Sequence, residues 1–291
     1  MSEFTPAPVQ IVAVHGRGVL PADATVVTAD DLGLTRGDGC FDATRVSTAS
    51  DGGSVVDNLE AHLARLNRSV VGLGDPADDL DLWRALVGQA VEAWTTPGEA
   101  VLKLMYTRGA ETVHGEPTRL LTITQMGEDA ITQRDGLKVV TLARGYASDT
   151  FADAPWLLGG VKTLSYAVNK ASLREAARRG ADDCLWTSSD GYLLEGPSSS
   201  VIAWIGDELV TTPTGATGIL ESITRTDVFA AAQAEGVATA ERLMRPEELA
   251  TAKGSWLVSS GRGAAPIVTL DGVALPQDAE MTRRMQEWAG F

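Results

Sequence analysis

Lys162 is the residue whose setting first suggests covalent chemistry. It stands in Gly159-Gly160-Val161-Lys162, just ahead of a predicted amphipathic helix. A lysine at such a junction can be held with its amine in a cleft, where desolvation lowers its pKa and makes it a nucleophile or a base. Most lysines are solvated surface charges, so this position alone leaves both interpretations open.

A carboxylate, Glu195, follows 33 positions later, where the apolar residues 192–194 give way to the small residues 196–200. If Glu195 points inward, it requires a cationic partner, because an unpaired buried charge is strongly destabilising. A strand-end glutamate that faces water is the alternative interpretation.

Anion-binding groups form the third candidate set. Residues 218–225 lead into a predicted helix with Ser222 or Thr224 at its cap, and free N–H groups at such a helix start can bind a phosphate. Arg65 lies near the apolar stripe of another predicted helix, where its planar fork could reach an inward phosphate or carboxylate. Arg45 is a further candidate, and the alternatives are an ordinary helix cap and surface arginines.

The elements that must position these residues follow from hydrophobic spacing. In the N-terminal half the pattern predicts strands over 11–14, 25–28, 100–106 and 120–124 and helices over 58–71 and 81–94, a mixed α+β arrangement. In the C-terminal half it predicts strands over 137–143, 184–187, 192–194, 201–205, 209–212 and 256–258, and helices over 165–179, 224–233, 246–252 and 279–288. The polar, aperiodic residues 128–136 predict a linker between an N-terminal domain over 1–127 and a C-terminal domain over 137–291.

Composition narrows the function. The 291 residues include 24 Lys plus Arg and 39 Asp plus Glu, a net charge of −15, which disfavours nucleic acid and anionic membrane surfaces as partners. Residues 1–10 have no basic start and no later stretch is long enough to span a bilayer, so we expect a cytoplasmic protein. Two distant Cys, three scattered His and no GxSxG motif disfavour a metal site and a serine-hydrolase triad.

Taken in chain order, these residues resemble the class IV (fold type IV) pyridoxal-phosphate enzymes, which include branched-chain aminotransferases, D-amino-acid transaminases and aminodeoxychorismate lyases. The resembling motifs are Gly37-Asp38-Gly39-Cys40-Phe41, His62-Leu63-Ala64-Arg65-Leu66, Thr107-Arg108-Gly109, Lys162 with Tyr166 and Asn169, Glu195-Gly196 with Ser198-Ser199-Ser200, Thr212-Pro213, Ile219-Leu220 with Ile223-Thr224-Arg225, and Ser259-Ser260. The resemblance implies a two-domain fold like that of D-amino-acid aminotransferase, with a smaller N-terminal α+β domain and a larger, mixed, barrel-like C-terminal domain.

The resemblance also implies a role for each residue. Lys162 would form the Schiff base with pyridoxal 5'-phosphate and act as general base, and Glu195 would hydrogen-bond the pyridine nitrogen. Tyr166 would touch the ring hydroxyl, and Leu220 would pack on the ring face. Four further positions would hold the phosphate: Arg65, Ile223, Thr224 and Ser260. Ser222 stands where family members commonly have Gly, and Ser200 where they have Asn; Ser222 would narrow the backbone's approach to the phosphate or add a hydroxyl ligand.

Within the family, the motif at 37–41 followed by Arg45 looks most like aminodeoxychorismate lyases, so we expect an enzyme that forms 4-aminobenzoate and pyruvate in folate biosynthesis. Arg45, Arg108 and Ser259 are the candidate contacts to its small-molecule amino substrate. A D-amino-acid or branched-chain aminotransferase using 2-oxoglutarate is the alternative, and the family also implies a homodimer. Two more remote alternatives are a short-chain dehydrogenase, from the YxxxK pattern at 166–170, and a non-catalytic protein that binds a phosphorylated ligand.

Overall fold

The computed structural model describes residues 9–112 and 116–291; residues 1–8 and 113–115, which include His114, lie outside the described residues. The chain forms two compact units. The first comprises Met1–Glu128 and Val161–Ser165, and the second comprises Asp129–Gly160 and Tyr166–Phe291. The short segment around Lys162 therefore belongs with the N-terminal unit, although the chain has already entered the C-terminal unit before it.

The first unit is an antiparallel sheet with two long helices on one face. In its described part the elements are β1 (Gln10–Val14), β2 (Gly18–Leu20), α1 (Leu32–Arg36), β3 (Gly39–Thr48), β4 (Ser54–Val56), α2 (Leu59–Gly72), α3 (Leu80–Ala93), β5 (Gly98–Thr107) and β6 (Thr118–Gln125). The strands are ordered β2-β1-β6-β5-β3-β4. Leu63 and Leu66 of α2 and Trp83 of α3 are fully buried against the inward-facing residues of β3, β5 and β6.

The second unit is a mixed sheet with helices. Its described elements are α4 (Glu128–Thr132), which begins at the boundary, then β7 (Leu137–Ala143), α5 (Ala167–Arg178), β8 (Asp183–Thr187), β9 (Ser200–Ile205), β10 (Glu208–Thr211), α6 (Ile223–Ala234), β11 (Ala238–Glu241), α7 (Pro246–Leu249), β12 (Gly254–Ser259), β13 (Gly263–Leu270), β14 (Val273–Ala274) and α8 (Ala279–Trp288). The order is β11-β10-β9-β12-β13-β7-β8, with β14 on β13. Three pairs are parallel: β10 with β11, β13 with β7, and β7 with β8.

Most predicted elements are present within one or two residues, but three predictions differ from the structure. Residues 25–28 form no strand; Val26 and Val27 instead pack against the apolar cluster of Val12, Val14 and Leu120 without joining the ladder. Residues 192–194 contribute only the isolated bridge of Leu193 to Thr187. The predicted linker at 128–136 contains α4 and a single 3-10 turn, Gln133–Asp135, and clusters almost entirely with the second unit.

Candidate active site

The Lys162 segment extends the β3 edge of the first sheet. Strand β4 covers only the far end of β3, and beyond it the Phe41 N–H donates to the Lys162 carbonyl and the Leu164 N–H to the Gly39 carbonyl, both at 2.9 Å. A Cβ at Gly39 would collide with the carbonyl oxygen of Tyr106 and the side chain of Leu164, so this close approach requires glycine. Gly39 of the 37–41 motif thus allows the segment around Lys162 to pair with β3.

Lys162 shares a face of the sheet with Phe41. In an antiparallel bridge the directly opposed side chains lie on one face, and the Lys162 Nζ is 4.6 Å from the centroid of the Phe41 ring. The Lys162 N–H donates to the Oγ of Ser69, on α2, at 3.2 Å. The main chain of Lys162 is therefore fixed on both sides, and its amine lies over an aromatic ring.

A second lysine, which the sequence reasoning missed, lies near the same ring. Lys103 on β5 is opposite Ala43 of β3, and its Nζ is 5.7 Å from the centroid of the Phe41 ring. The signal that could have identified Lys103 is the alternation in β5, where Leu102 and Leu104 are buried and Lys103 between them points to the other face. The face that carries Lys162 therefore carries a further cation.

Arg65 lies on the opposite face of β3, in a buried polar network. Its Nε and Nη2 donate to the two carboxylate oxygens of Asp42, each at 2.8 Å, and the His62 Nδ1 is 2.7 Å from Asp42 Oδ1. Burial alone would raise the pKa of Asp42, but the hydrogen bonds from Arg65 and His62 outweigh it and hold that pKa well below its usual range. Arg65 is thus a buried, oriented cation, and its contact with a phosphate stays a prediction.

The two arginines predicted to meet the substrate are both in ion pairs. The Arg45 Nε donates to Asp57 at 2.7 Å, and its Nη1 lies 3.6 Å from Glu99. Arg108 holds Asp75 through two nitrogens, with a closest distance of 2.6 Å, and these hydrogen bonds lower the pKa of Asp75. A substrate carboxylate at either arginine would compete with these acidic partners, so both assignments stay predictions.

Glu195 of the second unit lies beside β8, with its carboxylate oriented by a backbone group. Its carbonyl accepts from the Trp186 N–H at 2.9 Å, and its Oε2 accepts from the Leu220 N–H at 3.2 Å. The residue is half-buried rather than a solvated strand end. Leu220, predicted to pack on the cofactor ring, is therefore joined to Glu195 through its main chain.

Tyr166 lies in the electrostatic field of Glu195. Its hydroxyl donates to the Pro197 carbonyl, which also accepts from the Asn169 Nδ2 at 2.7 Å. Burial, followed by the negative charge of Glu195, raises the pKa of Tyr166 to about 12, so the phenol is protonated at neutral pH. The structure thus brings together Tyr166, Glu195 and Leu220 of the predicted set.

Helix α6 begins at a cluster of hydroxyl groups. Ser222 is its N-cap, and the Ser222 Oγ accepts from the Arg225 N–H at 3.2 Å. The Oγ atoms of Thr224 and Ser260 are 3.2 Å apart, and Ser260 directly follows Ser259, the last residue of β12. The N–H groups of a first helical turn and nearby hydroxyls suit a phosphate. The structure thus brings Ser222, Ile223, Thr224 and Ser260 to one helix start, and their contact with a phosphate stays a prediction.

The predicted residues therefore fall into two sets. The first unit holds Arg45, Arg65, Arg108 and Lys162, and the second holds Tyr166, Glu195, Leu220, Ser222, Ile223, Thr224, Ser259 and Ser260. Among the residues that the structure describes, no group of three or more His, Cys, Asp and Glu side chains could hold a metal ion. Within the same residues, no helix is both long and apolar enough to cross a membrane.

Comparison with known proteins identifies the family of the chain. Residues 39–270 match the family model described as amino-transferase class IV. The chain is 40% identical, over 92% of its length and 93% of the relative's, to a protein of Mycobacterium tuberculosis named bifunctional aminodeoxychorismate lyase / D-amino acid transaminase.

Two solved structures share the fold. A hypothetical aminotransferase from Mycobacterium tuberculosis in its PLP-bound form superposes with a TM-score of 0.90 at 37% identity, covering 96% of this chain and 97% of that one. A fold IV transaminase from Curtobacterium pusillum superposes with a TM-score of 0.88 at 40% identity, with the same two coverages. The predicted two-domain fold type IV is thereby confirmed, and the chain belongs to the class IV aminotransferase family.

Proposed function

We propose that this enzyme is a 4-amino-4-deoxychorismate lyase, which converts its substrate to 4-aminobenzoate and pyruvate. The observation that carries the proposal is the 40% identity, over 92% of the chain, to a relative named for that activity. As a member of the class IV aminotransferase family, the chain uses pyridoxal 5'-phosphate as its cofactor.

The residues present suit this cofactor. A twelve-residue helix that starts among the hydroxyls of Ser222, Thr224 and Ser260 supplies donors for the phosphate. The Glu195 carboxylate, oriented by the Leu220 N–H, can hold a proton on the pyridine nitrogen. When bound, the cofactor supplies an electron sink for the charge left at the substrate carbon once its proton is removed.

Lys162 moves that proton. Its main chain is held by Phe41 and Ser69, so its side chain is the part that would reach the cofactor and the substrate carbon. As a free amine, the Lys162 Nζ removes the proton at that carbon. The bond between the ring carbon and the enolpyruvyl oxygen would then break, and the released enolpyruvate would take up a proton to become pyruvate. Aromatisation of the remaining ring would supply the driving force.

Lys103 is our candidate for the group that binds a substrate carboxylate. It lies beside the Phe41 ring on the same sheet face as Lys162, whereas Arg45, predicted for this role, is engaged by Asp57 and Glu99. An ammonium at Lys103 would attract a carboxylate to the neighbourhood of the reacting amine.

Transamination of D-amino acids is the second candidate function, because the relative that carries the first proposal is also named a D-amino acid transaminase. The two activities use the same residues up to proton removal. They differ in the next step, since in a transaminase Lys162 would return the proton to the cofactor carbon rather than allow pyruvate to leave. Branched-chain transamination remains the alternative raised by the sequence.

One experiment separates these candidates. The holoenzyme is incubated with aminodeoxychorismate and, in separate reactions, with D-alanine or L-leucine plus 2-oxoglutarate. We expect 4-aminobenzoate and pyruvate from the first reaction. Glutamate in either transaminase reaction, without any 4-aminobenzoate in the first, would refute the lyase assignment.

A homodimer is part of the proposal and rests on the family resemblance. A monomer of this chain has a mass of 30.6 kDa, so light scattering of the active enzyme should report twice that mass. An active, monodisperse 30.6 kDa species would contradict it. The cytoplasmic location expected from the sequence stays a prediction.

A further inference from the structure

The buried network of Asp42, His62 and Arg65 contains two residues that the proposed chemistry leaves without a role. Asp42 is completely buried, and His62 and Arg65 are each less than 10% exposed. Asp42 follows Phe41 on β3, and His62 lies one turn before Arg65 on α2, in the motif that the sequence analysis singled out for its arginine alone. The network therefore joins strand β3 to helix α2.

The geometry of the network fixes the orientation of the arginine. Asp42 accepts from both Nε and Nη2 of Arg65, a two-point contact that sets the plane of the guanidinium group. His62 contacts Asp42 Oδ1 at 2.7 Å, which restrains the carboxylate in turn. Proteins commonly orient a ligand-binding side chain by hydrogen-bonding it to a carboxylate that is itself held in place.

The same two elements also hold Lys162. The Phe41 N–H, adjacent to Asp42, donates to the Lys162 carbonyl at 2.9 Å. Ser69, one helical turn after Arg65, accepts from the Lys162 N–H at 3.2 Å. Neighbouring residues on β3 and on α2 thus fix the arginine and the lysine in one frame, so a change in the network alters the position of Arg65 with respect to Lys162.

We propose that Asp42 and His62 are positioning residues, which hold Arg65 at the distance and orientation that the phosphate of the cofactor requires while Lys162 engages the cofactor's other end. Pyridoxal phosphate is a rigid ring with its phosphate and its reactive carbon on separate arms, so its two protein contacts must match in spacing. The inference rests on the proposed function in that it takes Arg65 as a contact to the phosphate.

The test compares two ligands that differ only in the phosphate. Apoenzyme is titrated with pyridoxal 5'-phosphate and with pyridoxal, and each Kd is measured by absorbance. Asp42→Asn and His62→Leu should weaken pyridoxal phosphate about tenfold, the scale of loss when an orienting partner is removed, and leave pyridoxal within about twofold. His62→Asn, which places an amide N–H where Nδ1 stood, should restore most of the phosphate-dependent affinity.

A matched control exists in the same unit. Asp78 is also largely buried and accepts hydrogen bonds from two nitrogens of Arg119. This pair is separate from the hydrogen bonds that join Asp42, His62, Arg65 and Lys162. Asp78→Asn should therefore leave the ratio of the two Kd values at its wild-type value even if the protein is less stable. An equal loss for both ligands in Asp42→Asn and His62→Leu, or no loss, would overturn the positioning role.

Arg65→Gln separates this inference from the proposal beneath it. That variant should show the same selective loss of pyridoxal phosphate. If Arg65→Gln binds pyridoxal phosphate as tightly as the wild type, Arg65 is not a phosphate contact and the inference falls with it. If Arg65→Gln shows the selective loss of pyridoxal phosphate but His62→Leu does not, only the positioning role is refuted. The comparison of His62→Leu with His62→Asn can still be measured if Asp42→Asn fails to fold.

Discussion

The main-chain N–H of Lys162 donates to the Oγ of Ser69 at 3.2 Å. Ser69 is almost fully buried near the end of α2, one turn beyond Arg65. On its other side the Lys162 carbonyl accepts a hydrogen bond from the Phe41 N–H, so the backbone of Lys162 is attached both to a helix and to a strand. Its Nζ lies 4.6 Å from the centroid of the Phe41 ring, so strand β3 contacts both the main chain and the side chain of Lys162.

Replacing Ser69 by Ala should impair both stability and catalysis. The Lys162 N–H would lose its acceptor, a loss of about 1 kcal/mol in the free energy of unfolding. A shift of the lysine segment by a fraction of an ångström should also lower turnover about tenfold. Urea unfolding and steady-state kinetics measure the two effects, with Val71→Ala, an exposed position on the same helix, as control. Full turnover in Ser69→Ala would contradict the expectation.

Lys162→Ala should abolish covalent attachment of the cofactor while the protein stays folded. Lys162 is half-buried, and its backbone contacts do not need the amine. After gel filtration, the variant should lack the absorbance of lysine-bound cofactor and keep the wild-type circular dichroism spectrum. Lys170→Ala, an exposed lysine on α5, should retain both signals. Turnover retained by Lys162→Ala would show that another amine is the base.

Glu195→Gln should leave the cofactor bound but slow proton removal. The amide oxygen of Gln can still accept from the Leu220 N–H, so the local structure should persist. The negative charge that stabilises a protonated pyridine nitrogen is lost, and we expect kcat to fall by about two orders of magnitude. Glu247→Gln, at an exposed position, is the control. A kcat for Glu195→Gln within threefold of wild type would refute the role.

The sequence predicted the long helices well because their apolar residues recur with the period of a helix, but it missed the short helices α1 and α4. It missed β3, the strand that positions Lys162, because the residues of β3 that face the helices include Asp42 and Thr44. These polar side chains interrupt the apolar alternation that marks a half-buried strand. They are buried at 0% and 2% exposure since a network of hydrogen bonds satisfies them.

Pairing between residues that are distant in the chain was the second feature that the sequence could not predict. Nothing local shows that Arg45 meets Asp57 and Glu99, or that Lys103 on β5 lies near the same ring as Lys162, because both relationships depend on strand register. The motif resemblance supplied residue identities but not their partners. The strand register determines which side chains are neighbours. For that reason our candidate for the contact to the substrate carboxylate is Lys103 rather than Arg45.

Lys103→Met tests that assignment against Arg45. Removing the ammonium should raise the KM of a carboxylate substrate about tenfold, the loss of a charged hydrogen bond, with a smaller change in kcat. Lys103→Arg, which keeps the charge, should recover most of the affinity. Arg45→Met should instead lower the free energy of unfolding, because it removes the ion pairs that Arg45 makes with Asp57 and Glu99. A raised KM in Arg45→Met with none in Lys103→Met would reverse the two roles.

The Asp42 network predicts the direction in which the stability of the protein changes with pH. The pKa of Asp42 lies below its ordinary value of 3.8 in the folded protein, so the unfolded chain takes up the proton first as the pH falls. The stabilisation from this carboxylate is therefore complete well above pH 4 and is lost as the pH drops below it. Asp42→Asn lacks this titration, and at neutral pH it should be about 3 kcal/mol less stable than wild type because a buried pair is broken. Urea unfolding measures the free energy of unfolding of both proteins. The difference between the two values should be constant from pH 7 to about pH 5 and should become smaller below about pH 4. A difference that stays constant, or widens, toward pH 3 would mean that Asp42 is not held ionised by Arg65 and His62.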